Sequence, residues 1–265
     1  MLLGSEQKLD DLIIKLLANK PLSALEIQSK LMSEAKEFTL QAIYKVIRVL
    51  ESSGIIIKSK KRFGLRLPWV LDLSSLAGEA VSVYSKSAEL PRAGKRTIWH
   101  FNDLQGLNNF WSQILLLAIQ NSSSKILFTW MPHPWFHLAY SEQEEQYIKA
   151  LKLTGSKLYL INGGDTFLDC WAEKYWQKEN IEYSNSQSWF HKVYEHQYIN
   201  VIDDFVLTVK LDKNITGEIN HFYKNIKSFD DMDFSEVFRI FGLKVKVSMW
   251  LENDERKAQY YRKRF

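Results

Sequence analysis

The chain has little that would announce an export route, a membrane anchor or a charged tail. Its 265 residues include one cysteine, Cys170, so no disulfide can form within the chain. Its longest apolar run is Ile114-Leu115-Leu116-Leu117-Ala118-Ile119, far short of the roughly 20 residues that cross a bilayer as a helix. No basic–apolar–small segment opens it, since Met1-Leu2-Leu3-Gly4 runs directly into Ser5-Glu6-Gln7-Lys8. The expectation is a reducing, cytoplasmic setting without membrane contact. No repeat or low-complexity stretch stands out. The formal net charge is only +4, too small to mark a nucleic-acid partner, so the distribution of charge matters more. What the chain has in quantity is apolar and aromatic material: 46% hydrophobic residues, with 9 Trp, 12 Tyr and 15 Phe. That is ample for buried cores and excludes global disorder. The length fits two domains.

Residues 1–70 read as three helices and a hairpin. Leu9, Leu12, Ile13, Leu16 and Leu17 recur at helical spacing over Ser5–Asn19, and Asn19-Lys20-Pro21 ends that run. Ser23 with Glu26 three residues later forms a capping box for a second helix, with Leu22, Leu25, Ile27 and Leu31 as its apolar stripe. Thr39 caps a third helix whose inner face is Leu40, Ile43, Val46, Ile47 and Leu50, and Gly54 stops it. Two short strands, Ile55–Lys58 and Phe63–Leu67, flank Ser59-Lys60-Lys61-Arg62. A further helix is expected from Asp72 to about Leu90, with Leu73, Leu76, Ala80 and Val83 on one side. Together with the linker candidate Pro91-Arg92-Ala93-Gly94-Lys95, this makes 71–96 a helical linker that could pair with a second copy in a homodimer.

Charge collects in this first part. From Lys36 to Arg66 there are eight basic residues and two acidic ones, a net +6 that exceeds the charge of the whole chain. Phosphate neutralisation supplies much of duplex affinity, so a concentrated basic stretch suits double-stranded DNA. The outward positions of the third helix are Gln41, Tyr44, Lys45 and Arg48. Gln pairs well with adenine, and Lys or Arg with guanine, in the major groove. Thr39 at the helix start suits a phosphate. Lys58, Lys60, Lys61 and Arg62 would lie along the backbone or in the minor groove. The pattern from Thr39 to Ile55 resembles the winged helix-turn-helix of bacterial and archaeal regulators. That resemblance implies a recognition helix and a basic wing.

From 97 to 265 strands and helices alternate, which argues for an α/β domain with a largely covered sheet. Helices are expected near Asp103–Gln120, Ser141–Leu153, Asp165–Asn180 and Thr216–Ile226. Strands are expected at Lys125–Met131, Lys157–Ile161, Ile181–Tyr183, Tyr198–Ile202 and Phe205–Lys210. Trp171, Tyr175 and Trp176, and Phe234, Val237, Phe238 and Phe241, are expected to pack in the core. The charged tail from Glu252 to Phe265 reads as a solvated helix end.

Within this part, His196-Gln197-Tyr198, followed by Asp203, resembles the HxKxxxxD motif of the phospholipase D superfamily. The strand–turn–strand of Val201–Val206 is similar as well, and the likeness extends over roughly Ile98–Ile226. In that family the His attacks phosphorus, the Lys neutralises the non-bridging oxygens and the Asp orients the chemistry. Tyr198 stands in the place of the Lys and offers one hydrogen bond rather than a cation. No second motif is found: His133, His137 and His221 are not followed by Lys two residues on. His196, Tyr198 and Asp203 are thus expected to be vestigial, and the chain not to be an enzyme.

Trp130-Met131-Pro132-His133-Pro134-Trp135-Phe136-His137 follows a strand, where α/β sheets bind ligands. Trp130, His133, Trp135 and His137, with Asn162 and His196, are candidates to bind a small-molecule effector. Asn162-Gly163-Gly164-Asp165 would let a backbone approach closely at a helix start that favours an anion. His133 and His137 have metal-ligand spacing but no Cys or carboxylate close in sequence, so neither metal nor cofactor is expected. The layout is similar to sugar-sensing archaeal regulators of the TrmB type, which implies a transcriptional regulator: a winged helix joined by a helical linker to an effector-binding α/β phospholipase D-like domain. Two alternatives remain. One is a nuclease or phosphodiesterase using His196 with DNA held by the winged helix. The other is a defence or toxin–antitoxin component.

Overall fold

A computed structural model describes residues 8–87, 90–177, 180–185 and 194–265, apart from the side chains of 85–87 and 185. The chain divides into two compact units between Tyr84 and Ser85.

The first unit is built from α1 (Leu9–Asn19), α2 (Ala24–Ser33), α3 (Leu40–Ser52), the hairpin β1 (Ile56–Ser59) and β2 (Arg62–Leu65), and most of α4 (Leu67–Ser87). Residues 5–7 of the expected first helix lie outside the described residues. The local signals act as anticipated. Ser23 accepts from the Glu26 amide while the Glu26 carboxylate accepts from the Ser23 amide, and Thr39 accepts from the Ala42 amide. Gly54 follows α3 at φ +74°, a conformation costly for other residues. Ile13, Ile27, Leu31, Ile43, Ile47 and Phe63 close a compact apolar core. Leu22 and Phe63 exchange two backbone hydrogen bonds of 3.0 and 2.8 Å, so the hairpin is tied to the start of α2. Leu25 departs from expectation: it is 65% exposed, and Ala24 takes the buried place. The helix expected from Asp72 begins at Leu67 instead. Its residues 88 and 89 lie outside the described range.

The second unit is a mixed α/β structure. Its seven-stranded sheet comprises β3 (Arg96–Phe101), β4 (Ile126–Met131), β5 (Lys157–Asn162), β6 (Ile181–Asn185), β7 (Gln197–Ile202), β8 (Phe205–Lys210) and β9 (Val247–Asn253). The order is β3-β9-β8-β7-β4-β5-β6, parallel from β4 through β6 and antiparallel elsewhere. One face carries α5 (Leu104–Asn121), α6 (Trp135–Ala139), α7 (Ser141–Leu153), α8 (Phe167–Trp176), α9 (Lys213–Asn225) and α10 (Phe234–Phe241) over the larger core. The other face carries α11 (Glu255–Arg262), which packs on β7 and β8. Strand parity sorts the side chains: Tyr198 and Ile202 point to the larger core, Ile199 and Val201 to the smaller one.

Several expectations are corrected here. Pro91–Lys95 is no free linker, because the Gly94 amide donates to the Asn253 carbonyl at 2.8 Å and the Lys95 carbonyl accepts from the Asn253 amide. Strands β3 and β9 escaped prediction. The tail is not a solvated end: Ala258 and Tyr261 are buried, and Phe265 lies 5.4 Å from the Phe128 ring. Trp176, Val237 and Phe241 are core residues, whereas Tyr175, Phe234 and Phe238 are exposed. No helix among the described residues is long and apolar enough to cross a membrane.

Candidate nucleic-acid interface and candidate ligand site

On α3 the apolar stripe Ile43, Ile47 and Leu50 is buried, which turns Gln41, Tyr44, Lys45 and Arg48 outward together. Thr39 is exposed at the same helix start. At the hairpin tip Lys60 sits at φ +57°, and Lys58, Lys60 and Lys61 are all exposed. Arg62 behaves differently. Its guanidinium donates to the Pro21 carbonyl at 3.0 Å and to Glu26 at 2.8 Å. Glu26 therefore caps α2 and anchors the hairpin at once. Its hydrogen bonds to Ser23, helped by the Arg62 charge, hold its carboxyl below the usual range. Arg62 is thus a fastener of the hairpin, in contrast to the exposed Lys60 and Lys61 beside it.

In the second unit the motif-like residues do not meet. His196 is half-buried just before β7. Tyr198 is buried, its ring edge-on to Trp111 at 5.5 Å, and burial pushes its phenol far up. Asp203 lies beyond the far end of β7, in the turn to β8 at φ +46°, accepting from the Ser123 amide at 2.8 Å. Burial raises the Asp203 carboxyl, but hydrogen bonds from Ser122–Ser124 outweigh it and set the carboxyl below its ordinary value. The six residues of β7 separate His196 from Asp203 by about 20 Å.

The expected effector residues divide between the two faces of the sheet. Trp130 is fully buried on the α11 face with Ile199, Val201 and Tyr261, so it cannot share a pocket with Trp135 and His137. Trp135 stacks on Phe241 in the larger core. Beyond β4, His133 places Nδ1 3.0 Å from Asp169, a carboxylate wholly buried at the start of α8. Asp169 also accepts from Asn162 Nδ2 at 3.0 Å and Thr166 Oγ1 at 2.7 Å. With Nδ1 facing the carboxylate, His133 turns Nε2 away from it, and its ring lies 4.4 Å from that of Tyr223. Gly163 and Gly164 are required by these neighbours: a Cβ would collide with the Trp130 ring at the first and with the Asp169 carboxylate at the second. The anion expected at this helix start is therefore the chain's own Asp169. Thr166 three residues before Asp169 is a capping-box signature that would have revealed it.

His137 lies deeper, 4.4 Å from the Trp176 ring, and burial lowers its pKa to about 3. With Phe136 it borders a cavity of about 40 Å3 under α5, α7 and α8. Sequence reasoning missed the other walls, among them Trp111, Glu144, Tyr147, Trp176 and Tyr183. Asn108 donates to Glu144 at 3.3 Å, but burial dominates and raises that carboxyl to about 7. Glu144, Ile148 and Leu151 follow a helical spacing that could have flagged Glu144 as inward-facing. Among the described residues no group of three or more His, Cys, Asp or Glu is arranged to hold a metal.

No protein-family profile and no curated protein matches the chain. Among solved structures, NucT from Helicobacter pylori is similar at 13% identity, with 64% of this chain and 96% of that chain covered and a TM-score of 0.36. The expectation that the present chain is not an enzyme is withdrawn. At this TM-score the likeness carries no assignment of activity.

Proposed function

We propose that the chain is a duplex-DNA-binding regulator whose first unit is a winged helix and whose second unit, phospholipase D-like in its strand–turn–strand, senses a small molecule. The observation that carries the DNA assignment is the outward face of α3. Gln41, Tyr44, Lys45 and Arg48 are exposed together opposite a fully buried stripe, beside a hairpin bearing three exposed lysines. Major-groove recognition needs this presentation, and the flanking lysines supply phosphate contacts. The test is duplex affinity across a range of salt. Lys45→Ala with Arg48→Ala should weaken binding by about 10- to 100-fold and flatten the salt slope by about 2. Unchanged affinity and slope would defeat the assignment.

A homodimer fits the same reading. Helix α4 exposes Leu76, Val83 and Tyr84 on one side, each more than half accessible, and the same side of a second copy would cover them. Sedimentation as a monomer at working concentration would overturn that element.

A second reading is favoured by one end of the sheet. His133 follows the end of β4 and His196 precedes β7, which runs antiparallel to β4, so both residues lie at the same end of these two strands. An imidazole oriented by a buried carboxylate, with a second histidine at the same end of the sheet, suits phosphodiester hydrolysis. Turnover of a generic phosphodiester that disappears in both His133→Ala and His196→Ala would establish it, and absence of turnover in the unmodified chain would remove it.

A further inference from the structure

We infer that the cavity beneath α5, α7 and α8 is a binding site for a small uncharged carbonyl compound, of the size and chemistry of a simple amide. This deepens the sensing half of the proposed function and assigns its ligand class. Five buried polar atoms without a hydrogen-bond partner among the described residues belong to side chains that line this one cavity: Trp111 Nε1, His137 Nδ1, Tyr147 OH, Trp176 Nε1 and Tyr183 OH. Buried polar groups are nearly always paired, and one left unpaired costs free energy, so five around one space call for an occupant.

The walls select its chemistry. Indole nitrogens only donate, and the two phenols donate readily. The occupant must therefore be rich in acceptor lone pairs, as a carbonyl oxygen is. No Lys or Arg lines the cavity, so an anion would be desolvated without a counter-charge. The indole N–H groups oppose a cation. The Glu144 carboxyl, held neutral by burial below about pH 7, both donates and accepts and matches the two sides of an amide. The volume of about 40 Å3 sets the size at a few non-hydrogen atoms, where about 10–15 Å3 suffices for one water.

Access is also visible. Ile148 and Trp176 line both this cavity and an open groove of about 390 Å3 between α7 and α8. Movement of those two side chains would join the groove to the chamber.

The test is calorimetric titration of the full chain at pH 6 with acetamide, and with acetate and methylammonium as charged molecules of comparable or smaller size. Acetamide should bind saturably with a Kd in the millimolar range or tighter, and neither ion should compete. Tyr183→Phe and Tyr147→Phe keep the rings and remove single hydroxyls. Each should stay folded by circular dichroism and weaken acetamide about fivefold. Three results would overturn the inference: no saturable acetamide binding, equal binding of acetate or methylammonium, or ordered waters on all five polar atoms that acetamide does not displace in a crystal. Duplex affinity measured on the same samples separates the two readings, since a failed titration beside intact Lys45- and Arg48-dependent DNA binding removes the ligand assignment alone.

Discussion

The two units place their polar chemistry in opposite locations. The first has an apolar interior, with Asp11 the one buried polar residue described there, and carries its charge outside. The second buries twelve polar or charged residues among those described, including Asn108, His133, His137, Glu144, Asn162 and Asp169. An apolar interior with a basic surface is suited to recognition by contact. A polar interior costs stability unless each group is paired. The units should accordingly respond to mutation in different ways: the second through stability and pH, the first through binding and salt.

The largest effect is expected at Asp169. One buried carboxylate collects His133, Asn162 and Thr166, so Asp169→Ala strands several donors at once. The unfolding free energy should fall by about 3–5 kcal/mol, measured by denaturant titration. Gly164→Ala should act in the same direction, because its Cβ would occupy the carboxylate's place. A loss below about 1 kcal/mol for Asp169→Ala would show that the cluster can rearrange, and the contrast between the units would weaken.

A pH dependence comes next. Glu144 is raised from 4.5 to about 7, so the folded chain holds a proton that the unfolded chain has released between those values. Its contribution is fully present below pH 4.5 and is lost as pH rises through about 7, a change of about 3 kcal/mol. His137 is lowered from 6.5 to about 3 by burial, so its contribution is present above pH 6.5 and lost as pH falls toward 3. Stability should be broadly flat between pH 4.5 and 6.5, where the two oppose each other, and decline on either side. Glu144→Gln should remove the decline above pH 6.5 and extend the acid limb through the former plateau, up to about pH 6.5. Persistence of the alkaline decline in that variant would place its cause elsewhere.

The same contrast explains what could be read from residue order. In the first unit the informative signals are local. Ser23 and Glu26, Thr39 and Gly54 act within a few residues, and the helix stripes reveal three short helices. Leu25 misled because an apolar residue at a plausible helical position is not obliged to face inward. In the second unit the deciding relations are long-range. β3 and β9 pair across about 150 residues of chain and alternate half-buried with exposed or buried positions, so neither has a strong apolar run. Trp130 is near Trp135 in sequence, yet it faces the smaller core while Trp135, after the strand, packs in the larger one. The cavity was hidden for a related reason: its polar walls come from α5, α6, α7, α8 and β6, and nothing in Trp or Tyr as residue types says which will meet.

The smallest expected effect separates two kinds of basic residue within the first unit. Arg62 bonds to Pro21 and Glu26, whereas Lys60 and Lys61 extend into solvent. An exposed ion pair adds little, so Arg62→Ala should lower Tm by no more than about 4 °C. Lys60→Ala with Lys61→Ala should leave Tm unchanged and reduce the salt slope of duplex binding by about 2, one for each phosphate contact. If Arg62→Ala flattens the salt slope as much per charge as the lysine pair while leaving Tm unaltered, the guanidinium contacts phosphate and its bond to Glu26 yields when DNA binds. If it shifts Tm and leaves the slope, Arg62 is a structural fastener, and the basic residues of the hairpin divide by what they touch rather than by their charge.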